Sequence, residues 1–361
     1  MTRLWVESQL RTYPVLVEQG LLQRTADILQ SEGLSSPMFL VITDDHVDRA
    51  GHVQRMVKSL EAASLFVDTI SVPSGEASKS LAMAEFLYSQ LATRRVRRNT
   101  VILAVGGGVV GDLAGFVAST YLRGIRYVQV PTTLLAHDSA IGGKVGVNLA
   151  VGKNLVGSFY APWAILMDPE TLATLPVREW KSGMAEVIKH AILGDESLFQ
   201  ELGYVPYSEY PGPERTEDLL TRAMRVKVKV VSEDEHEQGP RMLLNIGHNL
   251  GHAVESWSHY RWSHGEAVAI GLAVEAHLAV LMGVLSPADR DAIQDVLTRH
   301  GLPIRAKSVT YEDLRSKLEM DKKNTTSGWT FALPTGIGRA EIFHDVPEAL
   351  VKRAWTDMND A

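Results

Sequence analysis

The feature that most constrains this chain is a buried strand that opens through glycine into a helix. Val101-Ile-Leu-Ala-Val105 runs directly into Gly106-Gly107-Gly108-Val-Val-Gly111-Asp112. Glycines at such a junction let backbone N–H groups come close to a ligand, and the helix N-terminus behind them carries partial positive charge suited to a pyrophosphate. Gly106, Gly108 and Gly111 satisfy the G-x-G-x-x-G spacing of a dinucleotide site. A tight strand-to-helix turn with close packing would produce the same letters, so the motif needs company.

The surrounding pattern supplies some. Short β-branched runs alternate with helical periodicity over the first 170 or so residues, which is the signature of parallel strands joined by helices. Strands are expected at Met38–Thr43, Leu65–Val72, Thr100–Val105, Tyr127–Val130 and Ala164–Met167, with a helix over Ser80–Arg94. Beyond Pro176 apolar residues recur at spacings of three and four, and few β-branched runs remain. Helices are expected at Glu179–Leu193, Glu217–Asp234, His248–Trp257, Glu266–Met282, Pro287–His300 and Tyr311–Met320. A chain of 361 residues accommodates two domains. The reading is an α/β domain over residues 1–172 and a mostly α-helical one over residues 173–361, with the chemistry in a cleft between them.

With 45% hydrophobic and 22% charged residues the chain is an ordinary globular protein rather than a disordered one. No cysteine is present, which removes disulfides, thiolate zinc sites and a cysteine nucleophile together. Any metal must sit on His, Asp or Glu. A net charge of −7 argues against a nucleic-acid partner held by broad phosphate neutralisation. The run Arg94-Arg95-Val96-Arg97-Arg98 lies at a helix end, where cations complement the dipole. The apolar stretches Val101–Thr120 and Ala267–Leu285 contain glycines and Asp112, or Glu275 and His277, and read as core rather than membrane spans. Met1-Thr-Arg-Leu-Trp-Val-Glu shows no secretory signal pattern, so a cytoplasmic address is expected.

Candidate site residues fall into three groups. Asp44 at the end of an early strand could accept from a ribose hydroxyl, while Glu76 and Lys79 lie on a later loop; loops after successive strands converge where open α/β sheets bind ligands. In the helical half, imidazoles and carboxylates concentrate in Gly183-Met-Ala-Glu186-Val-Ile-Lys189-His190, Asn245-Ile-Gly-His248-Asn-Leu-Gly-His252 and His264-Gly265-Glu266-Ala267. Glu186, His248 and His264 are candidates for one carboxylate and two imidazoles around a catalytic zinc. His248 and His252 share a helical face as in H-E-x-x-H, but Asn249 stands where that motif has its general base, so a metalloprotease is excluded. Lys144, Lys153, Asn154, Lys189, Lys227, Arg241 and Lys323 form the third group; buried cations brought together would imply an anionic substrate.

With these residues in view the chain resembles the 3-dehydroquinate synthases of the sugar-phosphate cyclase superfamily, nearly end to end. The resemblance lies in Pro73-Ser-Gly-Glu-Ala-Ser-Lys79, Gly106 to Phe116, Tyr121-Leu-Arg-Gly124, Gln129 to Ala136, Asp138-Ser-Ala-Ile-Gly-Gly-Lys144, Gly152-Lys-Asn154, Gly183 to Lys189, Asn245 to His252, His264 to Val268 and Asp321-Lys-Lys323. It implies a Rossmann-like NAD-binding domain, a helical domain, zinc (cobalt being an alternative) and a homodimer. The implied reaction converts 3-deoxy-D-arabino-heptulosonate 7-phosphate to 3-dehydroquinate and phosphate in the shikimate pathway. It would proceed by transient oxidation, phosphate elimination, re-reduction and intramolecular aldol closure.

The resemblance puts metal ligation on Glu186, His248 and His264. Substrate contacts fall on Asp138, Lys144, Asn154, Lys189, Lys227, Arg241, Asn245, His252 and one of Lys322 and Lys323, with Arg123 reaching across the dimer. Cofactor contacts fall on Asp44, Glu76, Lys79, Gly107, Gly108, Asp112, Thr132, Thr133, Lys144, Lys153, Thr174 and Leu175. The competing readings are a 2-deoxy-scyllo-inosose or valiolone-type synthase, whose substrates lack a carboxylate, and a metal-dependent polyol dehydrogenase, which would release NADH.

Overall fold

The computed structural model describes residues 1–258, 261–318 and 328–359. Two compact units emerge: Met1–Leu175 together with Gly212–Thr221, and Pro176–Pro211 together with Arg222–Ala361.

The first unit carries β1 (Thr2–Val6), β2 (Tyr13–Val17), α1 (Thr25–Ser31), β3 (Phe39–Asp44), α2 (Asp45–Arg49), α3 (His52–Ala62), β4 (Val67–Val72) and α4 (Leu81–Thr93). It continues through β5 (Val101–Gly106), α5 (Gly108–Thr120), β6 (Arg126–Pro131), α6 (Ala136–Ser139), β7 (Lys144–Leu149), β8 (Gly152–Phe159) and β9 (Ile165–Met167). Seven strands form one sheet in the order β1-β2-β9-β6-β5-β3-β4, parallel except for β1.

Alternate side chains of the central strands feed opposite layers, as the period of two requires. Val41, Leu103 and Val105 pack with Ile28, Leu29, Met56 and Leu60 of α1 and α3 on one face. Leu40, Ile42, Ile102 and Ala104 pack with Leu87, Leu91, Leu113 and Val117 of α4 and α5 on the other. Burial on both faces is why these strands read as unbroken apolar runs. The chain steps outward from β3 to β4, then returns to build β5, β6 and β9 on the other side of β3. Strand order therefore reverses between β3 and β5, and the crevice at such a reversal is where open sheets take ligands. Asp44 and Gly106 end these two strands.

The second unit contains α7 (Val177–Gly194), α8 (Glu196–Tyr204), the C-terminal part of α9 (Pro213–Glu233), α10 (His248–Trp257), α11 (His264–Leu281), α12 (Pro287–Arg299), α13 (Tyr311–Leu318), β10 (Trp329–Gly336), β11 (Arg339–Val346) and α14 (Glu348–Asn359). Helix α11 is the central one, packed by α7, α10, α12 and α14. It is long and apolar enough to cross a membrane by composition alone, but 72% of that stretch is buried, as befits a core helix.

Two glycines set how closely its neighbours approach. A Cβ on Gly265 would lie 2.1 Å from the carbonyl oxygen of Ser182 on α7, and one on Gly271 would lie 1.9 Å from that of Gly247 at the start of α10. Backbone thus meets backbone at both contacts, and α10 and α7 are seated on α11 without intervening side chains.

Three pieces of sheet went unforeseen. The hairpin β1–β2 was missed because β1 alternates exposed and covered residues over only five positions. In β7–β8 the glycines that suggest a loop are cross-strand contacts: a Cβ on Gly157 would lie 2.3 Å from the carbonyl oxygen of Val145. The hairpin β10–β11 sits in the half expected to be helical, and its bulges break the alternation that would have betrayed it.

Gly271→Ala should destabilise the protein by at least about 2 kcal/mol, since the added methyl overlaps main chain that has no alternative position. Urea unfolding measures this, and an unchanged midpoint would mean that the α10–α11 seat is loose.

Candidate metal centre and dinucleotide site

In the second unit one carboxylate and two imidazoles meet. Glu186 projects from the buried face of α7, while His248 and His264 are the first residues of α10 and α11. Glu186 Oε1 lies 3.1 Å from His264 Nε2 and 3.5 Å from His248 Nε2. Each residue offers one donor atom, and all three lie within 4.8 Å of one another.

The remaining atoms of these side chains are held. His248 Nδ1 lies 3.0 Å from the carbonyl oxygen of Ile246, and His264 Nδ1 lies 3.4 Å from Glu255 Oε2. A carbonyl or carboxylate on the far ring nitrogen fixes orientation and tautomer of a ligating imidazole. Glu186 Oε2 is paired with Lys189 Nζ at 2.5 Å, and both side chains are buried. The pairing compensates a carboxylate in the protein interior and leaves Oε1 for the histidines. Helix α11 starts on a capping box, in which Ser263 and Glu266 bond each other's backbone N–H.

Electrostatics divides the histidines. Desolvation, reinforced by Lys189, pushes His248 well below the usual histidine range, so its Nε2 is a neutral lone-pair donor. Desolvation also works against charge on His264, but hydrogen bonds to Glu186 and Glu255 outweigh it and lift the pKa to about 9. One carboxylate oxygen and two imidazole nitrogens, with their outer atoms anchored, fit a divalent cation such as zinc or cobalt.

His252 stands exposed beside the cluster, its ring centroid 5.1 Å from that of His248 and 6.0 Å from that of His264. The cations do not share one environment. Lys189, Lys227 and Arg241 are buried, whereas Lys144 is exposed and Lys153 is half-buried, so the expectation of buried cations holds for only part of the group. Arg241 donates from its backbone to Asp234 Oδ2 at 3.1 Å and from its guanidinium to the carbonyl oxygen of Glu235. Asn245 Nδ2 donates to Glu237 Oε1 at 2.6 Å.

Glu237 and Glu255 were not foreseen. Glu255 stands two helical turns after His248 on the same face, a spacing that could have revealed it. Glu237 belongs to an acidic run before Arg241 that reads as a solvated loop, and its φ of 59° is one that side chains seldom adopt. Lys322 and Lys323 lie outside the described residues.

In the first unit Lys79 gathers several of the cofactor candidates. Its buried Nζ lies 2.5 Å from Asp112 Oδ2 on α5 and 2.5 Å from Asn154 Oδ1 on β8. Glu76 accepts from Asn148 Nδ2 at 2.7 Å and faces Lys153 Nζ at 3.8 Å. Gly107 is the N-cap of α5, and a Cβ there would lie 3.0 Å from the Thr133 methyl, so the loop after β6 crosses directly over the glycine turn. Thr132 N donates to the carbonyl oxygen of Gly106 at 3.0 Å, while its buried hydroxyl has no partner among the described residues. An orphaned hydroxyl beside a glycine-lined helix start fits a ligand that brings its own hydrogen-bonding groups.

Asp44 has a local task as well, since one of its oxygens accepts from the backbone of His46 at 2.9 Å and Val47 at 3.0 Å as the N-cap of α2. Thr174 Oγ1 lies 2.8 Å from His52 Nε2, and Leu175 follows it as the last residue of the unit's first segment. Asp138 is on α6, and Arg123 follows Leu122 in a turn where both have positive φ, 65° and 51°.

Residues 69–182 match the family described as 3-dehydroquinate synthase N-terminal, and residues 183–324 match 3-dehydroquinate synthase C-terminal. A curated 3-dehydroquinate synthase of Gloeobacter violaceus is 41% identical over 356 residues, 98% of each chain. Among solved structures, a 2-deoxy-scyllo-inosose synthase complexed with carbaglucose-6-phosphate, NAD+ and Co2+ is 25% identical, with a TM-score of 0.88 over 99% of this chain and 100% of that one. The 2-epi-5-epi-valiolone synthase of Streptomyces hygroscopicus subsp. jinggangensis 5008, with NAD+ and Zn2+ bound, is 28% identical, with a TM-score of 0.88 over 99% of both chains.

A pKa of about 9 at His264 means that a metal entering at Nε2 must displace a proton at neutral pH. Zinc uptake near pH 7 should release about one proton from this site, and affinity should climb about tenfold per pH unit before levelling above pH 9. Calorimetry in buffers of different ionisation enthalpy checks this; zinc uptake at pH 7 without proton release would contradict the arrangement.

Proposed function

The chain belongs to the 3-dehydroquinate synthase family, and from that premise we propose that it converts 3-deoxy-D-arabino-heptulosonate 7-phosphate into 3-dehydroquinate and phosphate. The observation that carries the reading is the meeting of Glu186 with His248 and His264, a donor set in keeping with a metal-assisted reaction at substrate hydroxyls. Identity of 41% to a 3-dehydroquinate synthase, against 25% and 28% to the two related cyclases, favours the acid substrate over a neutral sugar phosphate.

When bound, NAD would take a hydride and later return it, which keeps the overall conversion redox-neutral, and the divalent cation would supply a Lewis acid. The chain's own residues bind and orient. Arg241 offers a planar fork to the substrate carboxylate, and Lys227 adds a second charge. Both are buried, so each charge acts in a medium that screens little. Lys144, Asn154 and the Arg123 of a second subunit take the phosphate. Elimination breaks the carbon–oxygen bond to that phosphate, and one of the phosphate oxygens takes the proton from the adjacent carbon. His252 exchanges protons with the substrate hydroxyls, with Asn245 and Asp138 holding the same network. Lys189 stays paired with Glu186 and holds that carboxylate in place. Ring opening and aldol closure then need mainly a held conformer.

For the cofactor, Asp44, Glu76 and Lys79 take the adenosine half, and Gly107, Gly108 and the start of α5 take the pyrophosphate. Asp112, Thr132, Thr133, Lys153, Thr174 and Leu175 complete the contacts. A homodimer is supported by the paired positive φ angles of Leu122 and Arg123, strain that persists where a turn must present a side chain. Exposed Leu122, Leu149, Val151, Leu155 and Phe159 in the same unit add apolar surface for a second copy to cover. A cytoplasmic address goes with this reading.

Purified protein given the heptulosonate and NAD should release phosphate with no lasting NADH absorbance, lose that activity on chelation and regain it with zinc. Stoichiometric NADH would overturn the reading in favour of a dehydrogenase. Arg241→Ala should raise KM for the heptulosonate at least about tenfold, the worth of a charge-assisted pair; an unchanged KM would remove the carboxylate assignment.

A further inference from the structure

We propose that Glu275 is a positioning residue for the metal centre: from the interior of α11 it supplies the N-terminal cap of α10 and so fixes where His248 points. The inference rests on His248 being a metal ligand, as proposed above.

The first turn of a helix has N–H groups without intrahelical partners, and a Ser, Thr, Asp or Asn at the N-cap ordinarily serves them. Helix α10 has no such residue. Its N-cap is Gly247, with φ of 76°, and no side chain caps it locally. Nor could one be accommodated, because a Cβ at this position would lie 2.6 Å from Leu272 Cγ and 3.0 Å from the carbonyl oxygen of Val268. The close seat of α10 on α11 therefore removes the local solution, while burial of Leu250 in that first turn keeps the N–H groups from water.

The acceptor comes from the partner helix. Glu275 is fully buried and accepts from the backbone N–H of Gly247 through Oε2, and from that of Leu250 at 3.5 Å through Oε1. Its neighbours Val274, Ala276, Leu278 and Ala279 are all buried apolar residues. A carboxyl in that company is costly unless hydrogen-bonded, and burial raises its pKa to about 8. An apolar side chain would suit the helix interface better, so what the carboxyl contributes lies in the two N–H groups it holds.

Those groups bracket His248. Gly247 precedes it, and Leu250 closes the turn in which it stands. The imidazole's other anchor, the carbonyl oxygen of Ile246, belongs to the residue on the far side of Gly247. With Gly247 pinned, both the backbone of His248 and its Nδ1 acceptor are set, and Nε2 faces Glu186. Without the pin the turn can fray, and metal ligands tolerate displacements of only about 0.5 Å.

The test is zinc affinity, measured by competition with a chromophoric chelator, in wild type, His248→Ala and three variants of Glu275, with NAD affinity and thermal midpoint followed in each. Glu275→Asp keeps the acid but falls a methylene short, and Glu275→Ala removes the acceptor. Both should lose about 10- to 100-fold in zinc affinity, the usual effect of removing an outer partner of a ligand, with NAD affinity unchanged. Glu275→Gln retains an oxygen for Gly247 and should stay within about threefold of wild type. Wild-type zinc affinity in a folded Glu275→Asp or Glu275→Ala, or a loss in Glu275→Gln as large as in Glu275→Asp, would overturn the inference. Should the alanine variant not fold, the comparison of Asp with Gln decides alone. Wild-type protein that takes up no zinc, or His248→Ala that takes it up normally, would instead overturn the metal centre itself.

Discussion

A carboxylate buried among helices is the condition on which the second unit is built. Glu186 has no access to solvent, and an ionised group so placed must find compensation within hydrogen-bonding distance. It has Lys189 on one oxygen and two imidazoles on the other. For those imidazoles to arrive, two further helices must begin at the same place, which requires main-chain contact of α11 with α7 and α10. Gly265 and Gly271 permit that contact, and a larger residue at either would move a histidine away from the carboxylate.

The first unit meets a different demand. A dinucleotide is long, and its groups are best met by backbone and side chains from several loops rather than by one rigid cluster. A parallel sheet whose strand order reverses provides such loops at the carboxyl ends of neighbouring strands. Lys79 then ties the loop after β4 to α5 and to the β7–β8 hairpin, so loops that differ in origin are held in register by one buried ammonium. Each of its partners is a polar side chain, and the cost of burying the charge is met locally.

Much of this was legible in the sequence. The apolar runs of β3, β5 and β6 and the glycine turn after β5 have local causes, as do the helical periods of α10 to α12, and local causes leave local patterns. Glu186, His248 and His264 could be nominated because carboxylate and imidazole beside glycine are unusual company. The hairpins were not legible, because glycines that serve cross-strand approach in β7–β8 look the same as glycines that make loops. Glu255 and Glu237 were missed for a related reason. Their roles depend on which histidine or asparagine the fold brings opposite them, and an acidic residue on a helix or in a charged run carries no mark of that partner.

Glu275 shows the limit of pattern reading most clearly. In sequence it is a single acid inside an apolar helix, which served only to argue against a membrane span. In the structure that acid is placed by the same close packing that forced Gly247 to be glycine: the approach of α10 to α11 denies the N-cap a side chain, and the same approach brings a carboxyl of α11 within reach of the uncapped N–H groups. The glycine and the acid answer one geometric problem from opposite sides. A substitution that relieved the packing at Gly247 would therefore not free Glu275 to become apolar, because the first turn of α10 would still be buried and still need an acceptor.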